Sequence, residues 1–164
     1  SPYSHSLFQC WILIFCNFTS CGDSKSIRID KEILNGWNLE ESIKLEINDT
    51  IDFSSNIFFY IRNNNEYPFS NIFLIASLKS NQKVYETDTL EYMMANNRGE
   101  WLGKGFSSIK ESKLLWKRNW KPNFSPPYFF EIKQANRKIG QIKGDKNLFG
   151  ILSFGLSIEK ISNE

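Results

Sequence analysis

Histidine and cysteine are almost missing from this 164-residue chain, and the few that occur lie close to its start. The one histidine is His5, and the three cysteines are Cys10, Cys16 and Cys21. Residues 22–164 contain neither residue type. This excludes, for that stretch, a histidine-dependent triad, a zinc site with His or Cys ligands, a thiol nucleophile and a disulfide within the stretch.

The chain also lacks an excess of charge of either sign. It carries 20 Lys and Arg against 18 Asp and Glu, a formal net charge of +2. Such a balance gives no field that would attract nucleic acid, so we expect no nucleic-acid partner. Hydrophobic residues make up 41% and charged residues 23%, which is ordinary globular usage, and the length fits one domain.

No apolar run in the sequence is long enough to span a bilayer. The run from Leu7 to Phe18 is uncharged and mostly apolar, but it is shorter than the roughly 20 residues that a spanning helix needs. It does match the apolar region of a secretory signal, which takes about 7 to 15 residues and is followed by small residues. Thr19 and Ser20 precede Cys21, and the chain turns polar after it. This order resembles a bacterial lipoprotein signal.

The resemblance predicts that residues 1–20 are a lipoprotein signal peptide and that Cys21 becomes the acylated N-terminus of the mature protein. Signals begin with positive charge, whereas the first cation here is Lys25 and the chain does not begin with Met. We therefore expect the sequence to lack its first residues. The alternative is that residues 7–18 form a buried strand or helix of the fold.

The polar residues after Cys21 have nothing to bury, so we expect residues 21–26 to be a lipidated tether. Residues 27–164 then form a single domain. Along this domain the dominant period is two, which indicates half-buried β-strands. The alternating runs are Ile43–Ile47, Tyr128–Ile132 and Leu152–Ile158, with Leu152, Phe154, Leu156 and Ile158 expected on one face.

Two further runs, Ile57–Ile61 and Ile72–Leu78, are almost continuously apolar. They are too short for buried helices, and we expect them to be central strands buried on both faces. Turn signals recur between the strands, and no convincing amphipathic helix is present. The pattern predicts an all-β fold, an antiparallel β-sandwich of the jelly-roll or immunoglobulin-like kind.

The segment between these two runs, residues 62–71, is the best candidate for a partner-contact loop. Three successive asparagines suit turns because their side chains bond to nearby backbone, and loops of a rigid sandwich commonly carry contacts. The aromatic pair around Pro68 is either a plug over the end of the core or an exposed contact for a partner. The candidate residues are Asn63, Asn64, Asn65, Tyr67 and Phe69.

Tryptophans alternate with cations in the segment Lys110–Lys121. In a strand, Leu114, Trp116, Arg118 and Trp120 would share one face, so the tryptophans are expected in the core. The alternative is an exposed aromatic platform for stacking on a glycan or a single-stranded nucleic acid.

Two other motifs have structural interpretations. The two glycines in Trp101–Phe106 lack the spacing and context of a phosphate loop, and they predict a bulge or a tight approach between strands. Glu86, Asp88 and Glu91 suggest a carboxylate pair or a cation site, but Glu86 and Asp88 alternate with threonines, which favours a solvated strand face. A glycosidase would need two carboxyls facing each other across a cleft.

Three motifs together resemble the family of the gliding motility lipoprotein GldH. They are Asn35-Gly36-Trp37-Asn38, the segment Ile61–Leu74, and the pair of segments Asp88–Tyr92 and Gly99–Gly105. The resemblance runs from about Cys21 to Lys160. It implies a lipid-anchored cell-envelope protein that is required for gliding motility and associated with the machinery that moves and secretes adhesins.

The resemblance also implies that the membrane, through the N-terminal lipid, and other gliding motility envelope proteins are the partners. We expect the domain to face the periplasm rather than the cell surface. Only Cys21 carries over, as the acylation site. We expect no enzyme activity, no catalytic residues, no metal, no cofactor and no small-molecule substrate.

The alternative function is a glycan-binding β-sandwich lipoprotein that uses Trp101, Trp116 or Trp120 as stacking surfaces. The positions of these three rings, in the core or along an open groove, distinguish it from a structural or interaction protein.

Overall fold

The computed structural model describes residues 25–81, 83–136 and 146–162. The expected signal peptide, the expected acylation site Cys21 and most of the expected tether lie outside these residues. The described residues form ten β-strands and no helix. The strands are β1 (Ser26–Glu32), β2 (Trp37–Asn38), β3 (Ile43–Ile47), β4 (Ser55–Asn63), β5 (Asn71–Lys79), β6 (Val84–Met93), β7 (Lys110–Trp120), β8 (Tyr128–Gln134), β9 (Asn147–Leu148) and β10 (Ile151–Lys160).

Eight long strands form two four-stranded antiparallel sheets, ordered β1-β10-β4-β7 and β3-β8-β5-β6, and the short strands β2 and β9 pair with each other. The partners are nested along the chain, since β1 pairs with β10, β3 with β8, β4 with β7 and β5 with β6. The long strands thus form one long hairpin wrapped into two sheets. This is the jelly-roll arrangement, and the predicted all-β sandwich is confirmed.

The core lies between the two sheets and is rich in aromatic rings. Phe59, Phe130 and Phe154 are fully buried, and the Trp116 ring stacks on Phe59 with centroids 5.1 Å apart. Burial of each such side chain contributes about 1.5–3 kcal/mol. The alternation predicted for Ile43–Ile47 and for Tyr128–Ile132 is present, with one buried face in each strand.

The prediction that Ile57–Ile61 and Ile72–Leu78 are buried on both faces was wrong. They are central strands, but β4 and β5 alternate between buried and half-buried residues. Within the described ranges, no second layer of strands covers the outer face of β4. Long cations cover it instead: the Arg28 guanidinium lies 3.8 Å from the centre of the Tyr60 ring, and the Lys113 ammonium lies 4.2 Å from the centre of the Phe58 ring.

Two strand registers differ from simple alternation because of bulges. A shift between Ile151 and Ser153 places Ile151 in the core and leaves Leu152 half-buried, so Leu152 does not share the buried face of Phe154. A second irregularity lies near the end of β7, where Asn119 has a φ of 51°. There Trp120 is buried while Arg118 is exposed, although alternation had placed both on one face.

No helix long and apolar enough to cross a membrane occurs in the part of the chain that the structure describes.

Candidate interaction surface at the loop end

Four chain segments meet at one end of the sandwich, which we call the loop end. They are residues 33–36, 64–70, 94–109 and 149–150. The strand registers place them together, because Asn63 pairs with both Ile151 and Lys110, and Glu32 pairs with Ser153. Hydrogen bonds join the segments: Asn64 N–H donates to the Gly150 carbonyl at 2.9 Å, and Met94 N–H donates to the Ser70 carbonyl at 2.7 Å.

The chain enters the domain at the opposite end, which we call the tether end. Lys160 N–H donates to the Lys25 carbonyl at 3.0 Å, and β10 ends at Lys160, beside the first residue of β4. Val84 also lies at this end, since it pairs with Lys79 at the end of β5. Residues 21–24 are therefore joined to the domain at the tether end, which is farthest from the loop end.

Exposed apolar side chains are concentrated at the loop end. Among the described residues, six large apolar side chains are more than half exposed, and five of these lie at the loop end or on the last residue of the strand leading into it. Scattered single apolar residues are normal on a surface, but several at one place indicate an interaction site. The five are Leu34 (82% exposed), Met93 (51%), Leu102 (56%), Phe106 (112%) and Phe149 (53%), and the sixth is Val84 (52%) at the tether end.

The most exposed of these residues is presented by a tight hairpin. Lys104 and Glu111 exchange two backbone hydrogen bonds of 2.8 and 2.9 Å, so the turn between them carries Phe106 at its tip. A Cβ at Gly103 would lie 2.8 Å from the Glu111 carbonyl oxygen, closer than real Cβ contacts allow. Only glycine permits this approach to β7, which confirms the tight approach predicted for Trp101–Phe106.

The predicted contact loop forms the centre of the loop end, but its tyrosine is a plug. Tyr67 is 3% exposed. Its hydroxyl donates to the Asn71 carbonyl at 2.6 Å and accepts from Asn136 Nδ2 at 3.0 Å. Burial raises the pKa of this hydroxyl well above its ordinary value. Phe69 is half-buried against Tyr67, with ring centroids 5.8 Å apart.

The three asparagines of the loop have three different environments. Asn63 is buried, and its Oδ1 has no hydrogen-bond partner within the described ranges. Asn64 Oδ1 accepts from Glu66 N–H at 2.9 Å, which stabilises the turn. Asn65 is exposed, and its Oδ1 accepts from Trp101 Nε1 at 2.9 Å. The loop therefore offers a fixed polar tip, with Asn65 the most accessible of the candidate residues.

Glycine also sets the neighbouring turn. Gly150 has a φ of 83°, and a Cβ there would overlap the backbone nitrogen of Tyr67. Gly36 has a φ of 85° and lies against the Phe149 ring, which a Cβ at Gly36 would approach to 3.1 Å. Leu34 and Phe149 thus flank one side of the central loop, and Met93 and Leu102 lie on the other.

The tryptophans do not form an open stacking platform. Trp116 and Trp120 are 9% and 8% exposed, which confirms their predicted place in the core. Trp101 is half-buried, its ring lies 6.0 Å from that of Tyr67, and its indole nitrogen is bonded to Asn65. Each of the three rings packs in the interior or against the central loop, so the structure does not favour the glycan-binding alternative.

The acidic residues of β6 form ion pairs across the open side of the sandwich. Lys117 contacts Glu86 and, at 2.8 Å, Asp88. Asp88 also accepts from the Trp116 indole at 2.9 Å. The bond from Lys117, with a smaller effect of the Trp116 bond, holds the pKa of Asp88 below its usual value although burial opposes this shift. Glu86 and Asp88 therefore pair with β7 while their side chains stay 40% and 38% exposed, and Glu91 is exposed and bonded to Asn71.

Comparison with known proteins agrees with the sequence motifs. The family model described as GldH lipoprotein matches residues 28–158. A gliding motility lipoprotein GldH homolog of Christiangramia forsetii is 42% identical, over 96% of this chain and 99% of that protein. The gliding motility lipoprotein GldH of Flavobacterium johnsoniae is 37% identical, over 91% of each. A match to the crystal structure of the VP2 subviral particle of infectious bursal disease virus spans 85% of this chain and 40% of the VP2 chain. Its sequence identity is 13% and its TM-score is 0.25, which is too low to support an argument. On the family match and the two close relatives, the chain belongs to the GldH family of gliding motility lipoproteins.

Proposed function

We propose that this protein is a lipid-anchored cell-envelope protein required for gliding motility. It acts as a structural component that binds another envelope protein of the motility and associated secretion machinery at the loop end. The names of its two relatives support the role in gliding. The main support for this contact surface is that five exposed apolar side chains cluster at the end of the sandwich opposite Lys25.

The position of the lipid favours a protein rather than the membrane as the partner of the loop end. With lipid on Cys21, the four peptide steps to Lys25 reach at most about 14 Å. The nine residues of β4 alone extend about 30 Å toward the loop end. An upright domain therefore presents the loop end away from the membrane that holds the lipid, where Leu34 and Phe106 meet other envelope proteins. We infer that this side is the periplasm.

The chemistry of the domain supports a binding role and not an enzyme. Residues 22–164 contain no histidine and no cysteine. The carboxylates of Glu86 and Asp88 both pair with Lys117 of β7. Aromatic and aliphatic side chains on a rigid frame are the usual centre of a protein interface.

Phe106→Asp should abolish or strongly reduce gliding without changing the stability of the domain. The side chain is fully exposed, so the substitution should alter the free energy of unfolding by less than about 0.5 kcal/mol. A charge at the tip of the hairpin should nevertheless oppose burial against a partner. The measurements are gliding speed of single cells, protein level in the membrane, and the melting temperature of the purified domain.

Val84→Asp is the matched control, because Val84 is 52% exposed at the tether end. It should leave gliding, protein level and melting temperature as in the wild type. If Phe106→Asp and Leu34→Asp cells glide as fast as Val84→Asp and wild-type cells, the loop end is not the contact surface.

A further inference from the structure

A groove of about 620 Å³ runs along the free edge of β7, beside the loop end. β7 is the last strand of its sheet, and among the described residues only a bridge from Lys104 to Glu111 pairs with its outer edge. Its lining includes Ser112, Lys113 and Leu114 of β7 and, from other segments, Met93 and Leu102. Lys104 stands at the rim.

The backbone of β7 presents hydrogen-bonding groups to this groove at Lys113. Glu111 exchanges both of its backbone bonds with Lys104, so its N–H and C=O point away from β4. In an antiparallel strand the same direction recurs at every second residue. Consistent with this, the Leu115 carbonyl points the same way and accepts from the Tyr92 hydroxyl at 2.8 Å. The N–H and C=O of Lys113, midway between them, therefore point into the groove.

The remaining lining gives the groove an apolar centre and a cationic rim. Met93 and Leu102 are each about half exposed. Lys113 donates to Glu159 at 2.9 Å, and Glu111 is paired with Arg28. Lys104 has no acidic partner among the described residues, so its charge is available to a ligand.

We propose that β7 accepts an extended segment of a partner protein as an added strand, through the backbone N–H and C=O of Lys113. The segment alternates apolar and acidic side chains. An apolar one lies between Met93 and Leu102, and an acidic one contacts Lys104. The added strand rests on the proposed function, and it specifies the kind of partner segment that binds beside the loop end. Strand addition is a common mode of peptide recognition, with backbone bonds giving affinity and side-chain pockets giving specificity.

A second copy of this chain fits the same edge poorly. β7 itself is basic, since it carries Lys110, Lys113, Lys117 and Arg118 against one acidic residue, Glu111. Like charges facing each other across paired strands are destabilising. The charge of Lys104 therefore favours an acidic segment over another β7.

Lys113→Pro tests the backbone directly, with Lys113→Ala as its control. Proline removes the N–H that points into the groove, but not a bond to β4, and it is tolerated on an edge strand in that position. Alanine removes the same side chain, with its bond to Glu159, and keeps the N–H. We expect Lys113→Ala cells to glide and Lys113→Pro cells to lose at least tenfold in gliding speed, at equal protein levels.

Hydrogen–deuterium exchange of the full-length wild-type protein keeps the test decisive if proline lowers the melting temperature. The segment 113–115 should exchange at least tenfold more slowly in membranes from gliding cells than in the purified protein. Equal exchange in both samples, or equal gliding by the alanine and proline variants, would show that no strand adds here.

Loss of gliding by Phe106→Asp together with normal gliding by Lys113→Pro would contradict the added strand but not the proposed function. A size increase of the purified protein to a dimer, lost in Lys113→Pro, would instead identify a second copy as the occupant and overturn the proposal.

Discussion

Cys21→Ser should release the protein from the membrane fraction or block its processing, and it should abolish gliding, because the proposed lipid on Cys21 would be the domain's attachment. Two acyl chains give stable anchoring, whereas a single chain gives only marginal binding. The domain itself should remain folded, since the core of the described residues is built between Ile27 and Ile158. Fractionation, followed by immunoblotting and a melting curve of the soluble form, measures both effects.

Cys10→Ser and Cys16→Ser are the matched controls, since both lie within the expected signal peptide. Each removes a thiol of the same chain but should leave the mature protein, its membrane association and gliding unchanged. Labelled fatty acid should enter the wild-type protein and these two variants but not Cys21→Ser. Absence of label from the wild-type protein would show that the lipoprotein interpretation of this chain's N-terminus is wrong.

Tyr67→Ala should lower the free energy of unfolding by about 3 kcal/mol or more, because it empties a buried aromatic site under the loop end. The substitution removes ring contacts with Phe69 and Trp101 and two hydrogen bonds of the hydroxyl. For a domain of this size the change corresponds to a fall of about 10 °C in melting temperature. Gliding should fall only as far as the amount of folded protein falls.

Two variants separate the contributions of the ring and the hydroxyl. Tyr67→Phe keeps the ring and leaves the Asn71 carbonyl and the Asn136 amide without this partner, so it should cost about 1–2 kcal/mol. Pro68→Ala changes the exposed neighbour and should cost little. A Tyr67→Ala protein with unchanged melting temperature but lost gliding would identify Tyr67 as a direct contact for a partner instead of a plug.

The strands could be predicted from the sequence because burial of one sheet face imposes a period of two. Ile43–Ile47 and Tyr128–Ile132 show this pattern cleanly, and each is a strand with the expected buried face. The pattern failed where outer faces are covered by side chains rather than by another layer. Phe58 and Tyr60 look like core residues in sequence, but Arg28 and Lys113 cover them, and these cations come from other strands.

The central loop of the candidate site was proposed from its asparagines, whereas the exposed apolar residues around it were not predicted. Leu34, Phe106 and Phe149 are single apolar residues in different turns, and only the nested pairing of strands brings those turns to one end. One local signal was available: Phe106 and Leu34 lie among Gly, Ser and Asn, where an apolar residue cannot enter a strand's buried face. The burial of Tyr67 also could not be predicted locally. The turn at Gly150, which packs against the Tyr67 backbone, comes from a distant part of the sequence.

Photo-crosslinking from the two ends of the sandwich tests most directly that the loop end binds the motility machinery. A photoreactive phenylalanine analogue would replace Phe106 in one strain and Val84 in another, with the lipidated full-length chain expressed in gliding cells. We expect residue 106 to crosslink to one envelope protein whose own deletion stops gliding, and residue 84 not to crosslink to it. Crosslinks to that protein from residue 84 but not from 106, or crosslinks from 106 to lipid alone, would contradict the account.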